Sequence, residues 1–252
     1  MGREWTWPFV EGGTLYRSVV AVGAHPDDVE GGCGGTLLKL ADAGVRITIV
    51  NITNGDKGST VPGQDPVAVT AIRDAESRAA ATLLGAEYVC LGAEDQFLFD
   101  TRDLRLELAK VIGRVGADLV LASPPSDYQA DHTLTGQLAL EACHLAALPQ
   151  VLVGLPVVER DPAMYYYDTT LGVDFQPTFY VDVTDVMERK LALVACHASQ
   201  SAESTSGHGW SLQEAGTTKA RLRGMQSGVR YAEGFAPCLR WPRVRALSTF
   251  PW

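Results

Sequence analysis

The chain has 252 residues, 46% of them hydrophobic and 20% charged, the make-up of a globular protein long enough to bury a sizeable core without covalent staples. Its net charge of −9 argues against nucleic acid as a partner, because phosphate binding needs a basic field. No apolar run approaches the roughly 18–20 residues of a membrane span, and residues 1–20 mix Trp, Glu, Gly and Arg where a secretory signal would set a basic segment before an apolar core.

Ser18–Gly23 is continuously apolar and β-branched, the pattern of a strand buried on both faces. A helix is expected over Thr36–Ala43, stopped by Gly44. Arg46–Ile52 reads as the second strand and Thr53–Thr70 as a long loop rich in Gly, Asp, Pro and Thr. The second helix spans Ala71–Leu84, with Gly85 as its stop, and Glu87–Leu91 is the third strand. Leu104, Leu108, Val111, Ile112 and Val115 have helical spacing, ended by Gly116. Asp118–Ala122 is the fourth strand, followed by a helix from Thr133 to Ala147. Val151–Val158 and Phe179–Val183 read as strands, and Tyr165-Tyr166-Tyr167 as a strand with aromatic packing first and a sugar-stacking face second. Asp185 and Glu188 resemble a capping box opening a helix to Ala198. Ser199–Gly216 is a second long polar loop, and Thr217–Gly228 the last helix.

This alternation predicts an α/β fold: a Rossmann-like, doubly wound, mostly parallel sheet with helices on both faces. No linker is long enough to force a split, so one domain is expected over residues 1–252. The five cysteines, Cys33, Cys90, Cys143, Cys196 and Cys238, are scattered and form no CxxC pair, which reads as reduced thiols in a cytoplasmic protein. Arg221, Arg223, Arg230, Arg240, Arg243 and Arg245 make the C-terminal part locally basic. Solvated surface or a subunit contact in a homo-oligomer is the first reading of these arginines, and a site for an anionic substrate group the second.

The chemistry concentrates at His25-Pro26-Asp27-Asp28 and Glu30, directly after the first strand. An imidazole and adjacent carboxylates at the mouth of a buried strand are costly without a partner, and a divalent metal supplies one. His25 and Asp28 can face one point from the turn. Asp27, between them, can enter the same cavity without ligating and act as a base toward a metal-activated water. Each residue alone has a plainer reading as a helix cap or a hydrogen-bonded histidine. Glu30 is open between support of the site and helix-start electrostatics. The Gly31–Gly35 run has the wrong spacing for a dinucleotide fingerprint, and reads as tight packing of a helix start.

A metal needs about three protein ligands. In a 3-2-1-4 strand order the first and fourth strands are neighbours, and the crevice between their carboxyl ends is the topological switch point. That order brings His132, beyond the fourth strand, beside His25, with Asp131 able to orient a ligand or an acid. His144, in an apolar helix, reads as packing or interface. His197 sits near a helix end, where it can meet the last carbonyls. His208, between two glycines of the polar loop, is the histidine best placed to enter from a lid.

At this point the residues resemble the PIG-L/LmbE-like family of zinc-dependent N-deacetylases. The likeness is carried by Ala24-His25-Pro26-Asp27-Asp28-Val29-Glu30, Gly34-Gly35-Thr36, Thr53-Asn54-Gly55-Asp56, Arg73-x-x-Glu76 with Leu84-Gly85, and Leu91-Gly92-x-x-Asp95. It continues through Asp127-Tyr128-x-x-Asp131-His132, His197-x-Ser199-Gln200 and Tyr231-Ala232-Glu233-Gly234-Phe235. The resemblance implies removal of an acetyl group from an N-acetylglucosamine unit, Zn2+ on His25, Asp28 and His132, and Asp27 as general base. It also implies that Arg73 and Asp95 contact polar groups of the substrate, against the plainer reading of Arg73 as a surface ion pair with Glu76. One departure matters. Where many members have an acid histidine three residues before the last ligand, this chain has Gln129, which can donate a hydrogen bond to an oxyanion but cannot deliver a proton. Asp27 or His208 would then serve the leaving amine. Two other readings stand beside deacetylation: an amidase of a thiol–sugar conjugate, and a non-catalytic metal- and carbohydrate-binding relative.

Overall fold

A computed structural model describes residues 10, 11 and 14–240. Two short antiparallel strands, β1 (Val10–Glu11) and β2 (Thr14–Leu15), precede β3 (Ser18–Gly23), α1 (Asp28–Asp42), β4 (Arg46–Thr53), α2 (Pro66–Leu84) and β5 (Glu87–Ala93). Then come α3 (Arg102–Val115), β6 (Leu119–Ala122), α4 (Ala130–Leu145), β7 (Ala163–Tyr167) and β8 (Phe179–Asp182). The described residues close with α5 (Met187–Ala195), α6 (Ala198–His208), α7 (Leu212–Ser227) and β9 (Ala232–Pro237).

The main sheet has the order β5-β4-β3-β6-β7-β9-β8. The first five strands of that order are parallel, while β9 runs antiparallel to both β7 and β8. The expected 3-2-1-4 order is present as β5-β4-β3-β6. Along β3 the side chains alternate between two cores. Val19 and Ala21 join the layer packed by α1, α2, α5 and α7. Val20 and Val22 join the layer packed by α3 and α4. Both faces are covered, which is why β3 reads as continuously apolar.

Several boundaries differ from expectation. Helix α1 starts at Asp28, eight residues before the expected Thr36, and breaks locally at Cys33 (φ −140°). The glycines allow this early start: a methyl group on Gly32 would lie 2.5 Å from the Tyr167 ring. Helix α2 starts at Pro66, capped by the Asp65 side chain on Val67 N, so the loop after β4 is shorter than expected. The 151–158 segment is a run of turns; Gly154 and Pro156 interrupt it, and Val151, Val153, Leu155 and Val157 are exposed. The strand beyond β6 is β7 instead. The capping box at Asp185 does not form: α5 begins at Met187, and Asp185 accepts from Lys39 Nζ at 2.8 Å. The expected loop 199–216 is mostly helix. Helix α6 buries no residue completely and so carries no apolar stripe to read, and α7 opens early on a Ser211–Glu214 capping box. Of the C-terminal arginines, Arg223 is buried in an ion pair with Asp168, and Arg243 and Arg245 lie outside the described residues.

Candidate metal centre

The site forms at the carboxyl ends of the parallel strands, at the switch point on β3. Each part sits just past the end of a strand: His25, Asp27 and Asp28 after β3, Asp95 and Gln96 after β5, Asp127 in the loop after β6, and Asp131 and His132 in the first turn of α4. His25 and His132, 107 residues apart, bring Nδ1 and Nε2 to 3.2 Å. Asp28 bridges them, with Oδ2 3.5 Å from His25 Nδ1 and Oδ1 3.3 Å from His132 Nε2. One donor atom from each of the three lies within 4.8 Å of the others.

The far side of each ring is also engaged. His25 Nε2 lies 3.0 Å from Asp95 Oδ1 and 3.3 Å from Asp131 Oδ2. His132 Nδ1 lies 3.2 Å from Asp127 Oδ1. A carboxylate on one ring nitrogen keeps the proton there and turns the other nitrogen's lone pair toward the shared point, the arrangement that supports metal-ligating histidines. Burial works against the charged imidazoles, yet hydrogen bonds to Asp131, Asp28 and Asp95 raise His25 well above its usual range. Asp28 and Asp127 likewise carry His132 up to about 10 against burial. Asp28 is pushed up by burial but held well below the usual carboxylate range by His132 and His25. In the metal-free chain the protonated imidazoles offset the charge of the carboxylates they touch. The nitrogen and oxygen donor set fits a divalent ion such as zinc doing the same.

Asp27 stands apart. Its backbone is left-handed (φ 108°, ψ −22°), and its side chain does not cap α1. A non-glycine residue held there costs free energy that the surroundings must offset, and such outliers cluster at functional sites. The carboxylate lies 3.8 Å from Arg73 Nη2. Burial pushes it up to about 6 against the pull of Arg73.

Arg73 is not a surface residue. It lies on the buried face of α2 with Val69 and Ser77, and donates to Pro26 O at 2.7 Å and Gly55 O at 3.1 Å. It therefore clamps the turn that carries Asp27. Gly55 is obligatory beneath it, having a left-handed φ of +68° and room for no Cβ (2.6 Å from Arg73 Nη1). Glu76, the partner of Arg73 in the plainer reading, instead accepts from Ser199 N and Oγ.

The remaining candidates divide between the cavity and its surroundings. Asp95 is buried beside His25 and also lines the cavity. Asp131, expected to orient a ligand or an acid, lies against His25 Nε2 and also accepts Gln96 N at 2.8 Å. Glu30 does not line the cavity; it is buried 3.4 Å from His197, which is itself fully buried between α5 and α6. His144 is exposed beside Asp161. His208 ends α6, stacked on Trp210 at 5.4 Å, at the cavity wall. Gln129 lines the cavity next to Tyr128. The cavity has a volume of about 460 Å³ and runs from the His25–His132 point to α6 and α7. Sequence reasoning missed Trp210 and Lys219 as cavity residues, and nothing local in the sequence marks them; Tyr167 lines the cavity as well.

Residues 20–143 match the PIG-L family model, described as GlcNAc-PI de-N-acetylase. A diacetylchitobiose deacetylase of Thermococcus kodakarensis is 32% identical over 228 residues, 86% of this chain and 82% of the relative. The chain belongs to the PIG-L family. Among solved PIG-L relatives, the N,N'-diacetylchitobiose deacetylase from Pyrococcus horikoshii superposes with a TM-score of 0.79 at 32% identity, covering 88% of this chain and 84% of that one. A 4-oxalmesaconate hydratase of Pseudomonas putida is 28% identical over 249 residues, 92% of each chain. Proteins similar to this chain thus include some named as deacetylases and some named as hydratases, and the reaction must be argued from the site. No helix among the described residues is long and apolar enough to cross a membrane.

Proposed function

We propose that this chain is a metal-dependent hydrolase that removes an N-acyl group, acetyl first, from an amino sugar or its glycoconjugate. The observation that carries this reading is the convergence of His25, Asp28 and His132, each imidazole backed by a carboxylate, with the uncapped Asp27 beside them. These three residues would hold the ion. When bound, a divalent metal, zinc by its donor chemistry, polarises the acyl carbonyl and lowers the pKa of water.

The chain's own residues do the rest. Asp27 takes the proton of the attacking water, and Arg73 holds that carboxylate in place. The Gln129 amide donates to the tetrahedral oxyanion. Because Gln129 has no proton to give, Asp27 returns the one it took to the leaving nitrogen. The C–N bond then breaks, releasing the acid and the free amine. Asp95 and Asp131 keep the tautomer of His25, and Asp127 that of His132. Single-domain organisation, a cytoplasmic location and self-association belong to the same proposal, and a thiol–sugar conjugate fits the chemistry with a different leaving amine.

The test is to load the purified chain with zinc and screen N-acyl sugars and conjugates for fluorescamine-reactive amine. Release that EDTA abolishes and zinc restores supports the reading. A tight zinc complex that releases no amine from any of them refutes it and leaves the binding relative. Full-length likeness to the hydratase supports a second reading, hydration of an unsaturated acid. Loss of conjugated-alkene absorbance without amine release would select it.

A further inference from the structure

One face of α7 forms a wall of the cavity. Leu212, Ala215, Gly216 and Lys219 all line it, at the i, i+3, i+4 and i+7 positions that share a helix side. Ala215 and Gly216 keep the wall low, and a methyl group added at Gly216 would meet nothing within 4 Å. Lys219 is the single charge on this stripe. Its Nζ donates to Thr169 O at 2.9 Å, which uses one of three ammonium protons. Among the described residues no carboxylate comes within ion-pair distance of it.

The neighbouring charges cancel one another. Arg223 grips Asp168 with two bonds, Nε to Oδ2 at 2.6 Å and Nη2 to Oδ1 at 3.1 Å. Lys190 Nζ lies 2.6 Å from Glu233 Oε1. The other described cavity-lining Lys and Arg residues are also committed. Arg73 faces Asp27 and Asp95 while clamping two carbonyls, and Lys57 faces Asp56 and Glu94. Lys219 is therefore an uncompensated positive charge in a cavity whose other end is crowded with aspartates. Burial lowers it to about 8, so it is still cationic at neutral pH while lacking much of its hydration. Such a group gains from a bound anion.

We propose that Lys219 binds an anionic group, a carboxylate or a phosphate, carried by the substrate away from its acyl-amine, so that the cavity prefers negatively charged conjugates to neutral ones. The identity of the conjugate as an N-acyl amino sugar rests on the function proposed above; the anion site rests on the cavity alone.

The experiment compares zinc-loaded wild type, Lys219→Met and Lys219→Arg on three probes: methyl N-acetylglucosaminide, its carboxymethyl counterpart, and N-acetylglucosamine 1-phosphate. Amine release and calorimetric binding are measured for each, with far-UV circular dichroism confirming the fold. Wild type is expected to favour at least one charged probe by roughly tenfold or more in kcat/KM, the better of the two telling carboxylate from phosphate. Lys219→Met should bring that charged-over-neutral ratio to about one through KM rather than kcat, and Lys219→Arg should keep most of it. An unchanged ratio in Lys219→Met, or no preference in wild type, overturns the proposal. If no probe releases amine, the deacetylase reading fails separately. The calorimetric ratio then decides the anion site, and equal affinities for charged and neutral probes, or no binding of any, overturn it.

Discussion

Asp27→Asn separates the chemical role of this residue from its structural cost. Asparagine tolerates the left-handed backbone at this position, so the turn should survive. The amide cannot accept the proton of water, and loss of a general base lowers kcat about 10²–10⁴-fold. Stability should move the other way in metal-free protein. Burial raises the Asp27 carboxyl from 3.8 to about 6. A folded-state pKa above the unfolded value means that the ionised form is penalised by folding. That penalty is absent below about pH 4, grows through pH 6 and is full above it. The displacement corresponds to at most about 3 kcal/mol. In EDTA at pH 7.5, Asp27→Asn should therefore melt higher than wild type, and the gain should vanish near pH 4. The assays are amine release with zinc and thermal melts without it. Full activity in the variant would refute the base assignment. A lower melting temperature in EDTA would refute the buried-charge argument.

The two carboxylates on His25 Nε2 and the one on His132 Nδ1 make further claims. Asp95→Asn should weaken zinc about 10–100-fold, read by competition with a fluorescent chelator; unchanged affinity would show that Asp131 suffices. His132, raised to about 10 in the metal-free chain, contributes stability that is complete below its unfolded pKa near 6.5 and lost as pH rises through 10. Melting temperatures in EDTA should fall across that window, whereas zinc affinity should grow over it, because the metal needs the neutral ring. Away from the site, Glu233 accepts from Gly35 N, Thr36 N, Thr36 Oγ1 and Lys190 Nζ at 2.6–2.9 Å. Glu233→Gln leaves the fully buried Lys190 without its counter-charge and should cost about 3–5 kcal/mol in urea unfolding; a loss under about 1 kcal/mol would contradict this.

Much of the fold was legible because its signals are local. Continuous apolar runs marked β3, β4 and β6, glycine stops ended α2 and α3, and the alternation implied the parallel order. Where the expectation failed, the local signal was weak or misleading. Helix α6 is polar all round, so no period betrayed it. Segment 151–158 has strand-like valines but carries Gly154 and Pro156. Helix α1 begins in a glycine run whose use is to let Tyr167 approach, a contact between residues far apart in the chain.

The site divides in the same way. Adjacency alone put His25, Asp27 and Asp28 in one turn, and residue chemistry named His25, Asp28 and His132 as donors. Only the tertiary structure decided which groups stand behind them. It set Asp131 and Asp95 on His25 and Asp127 on His132, placed Glu30 beside His197 and brought Lys219 to the cavity. The physical reason is that turn and helix propensities act over a few residues, whereas the partner of a buried charge is chosen by which strands lie side by side. That choice belongs to the sheet as a whole.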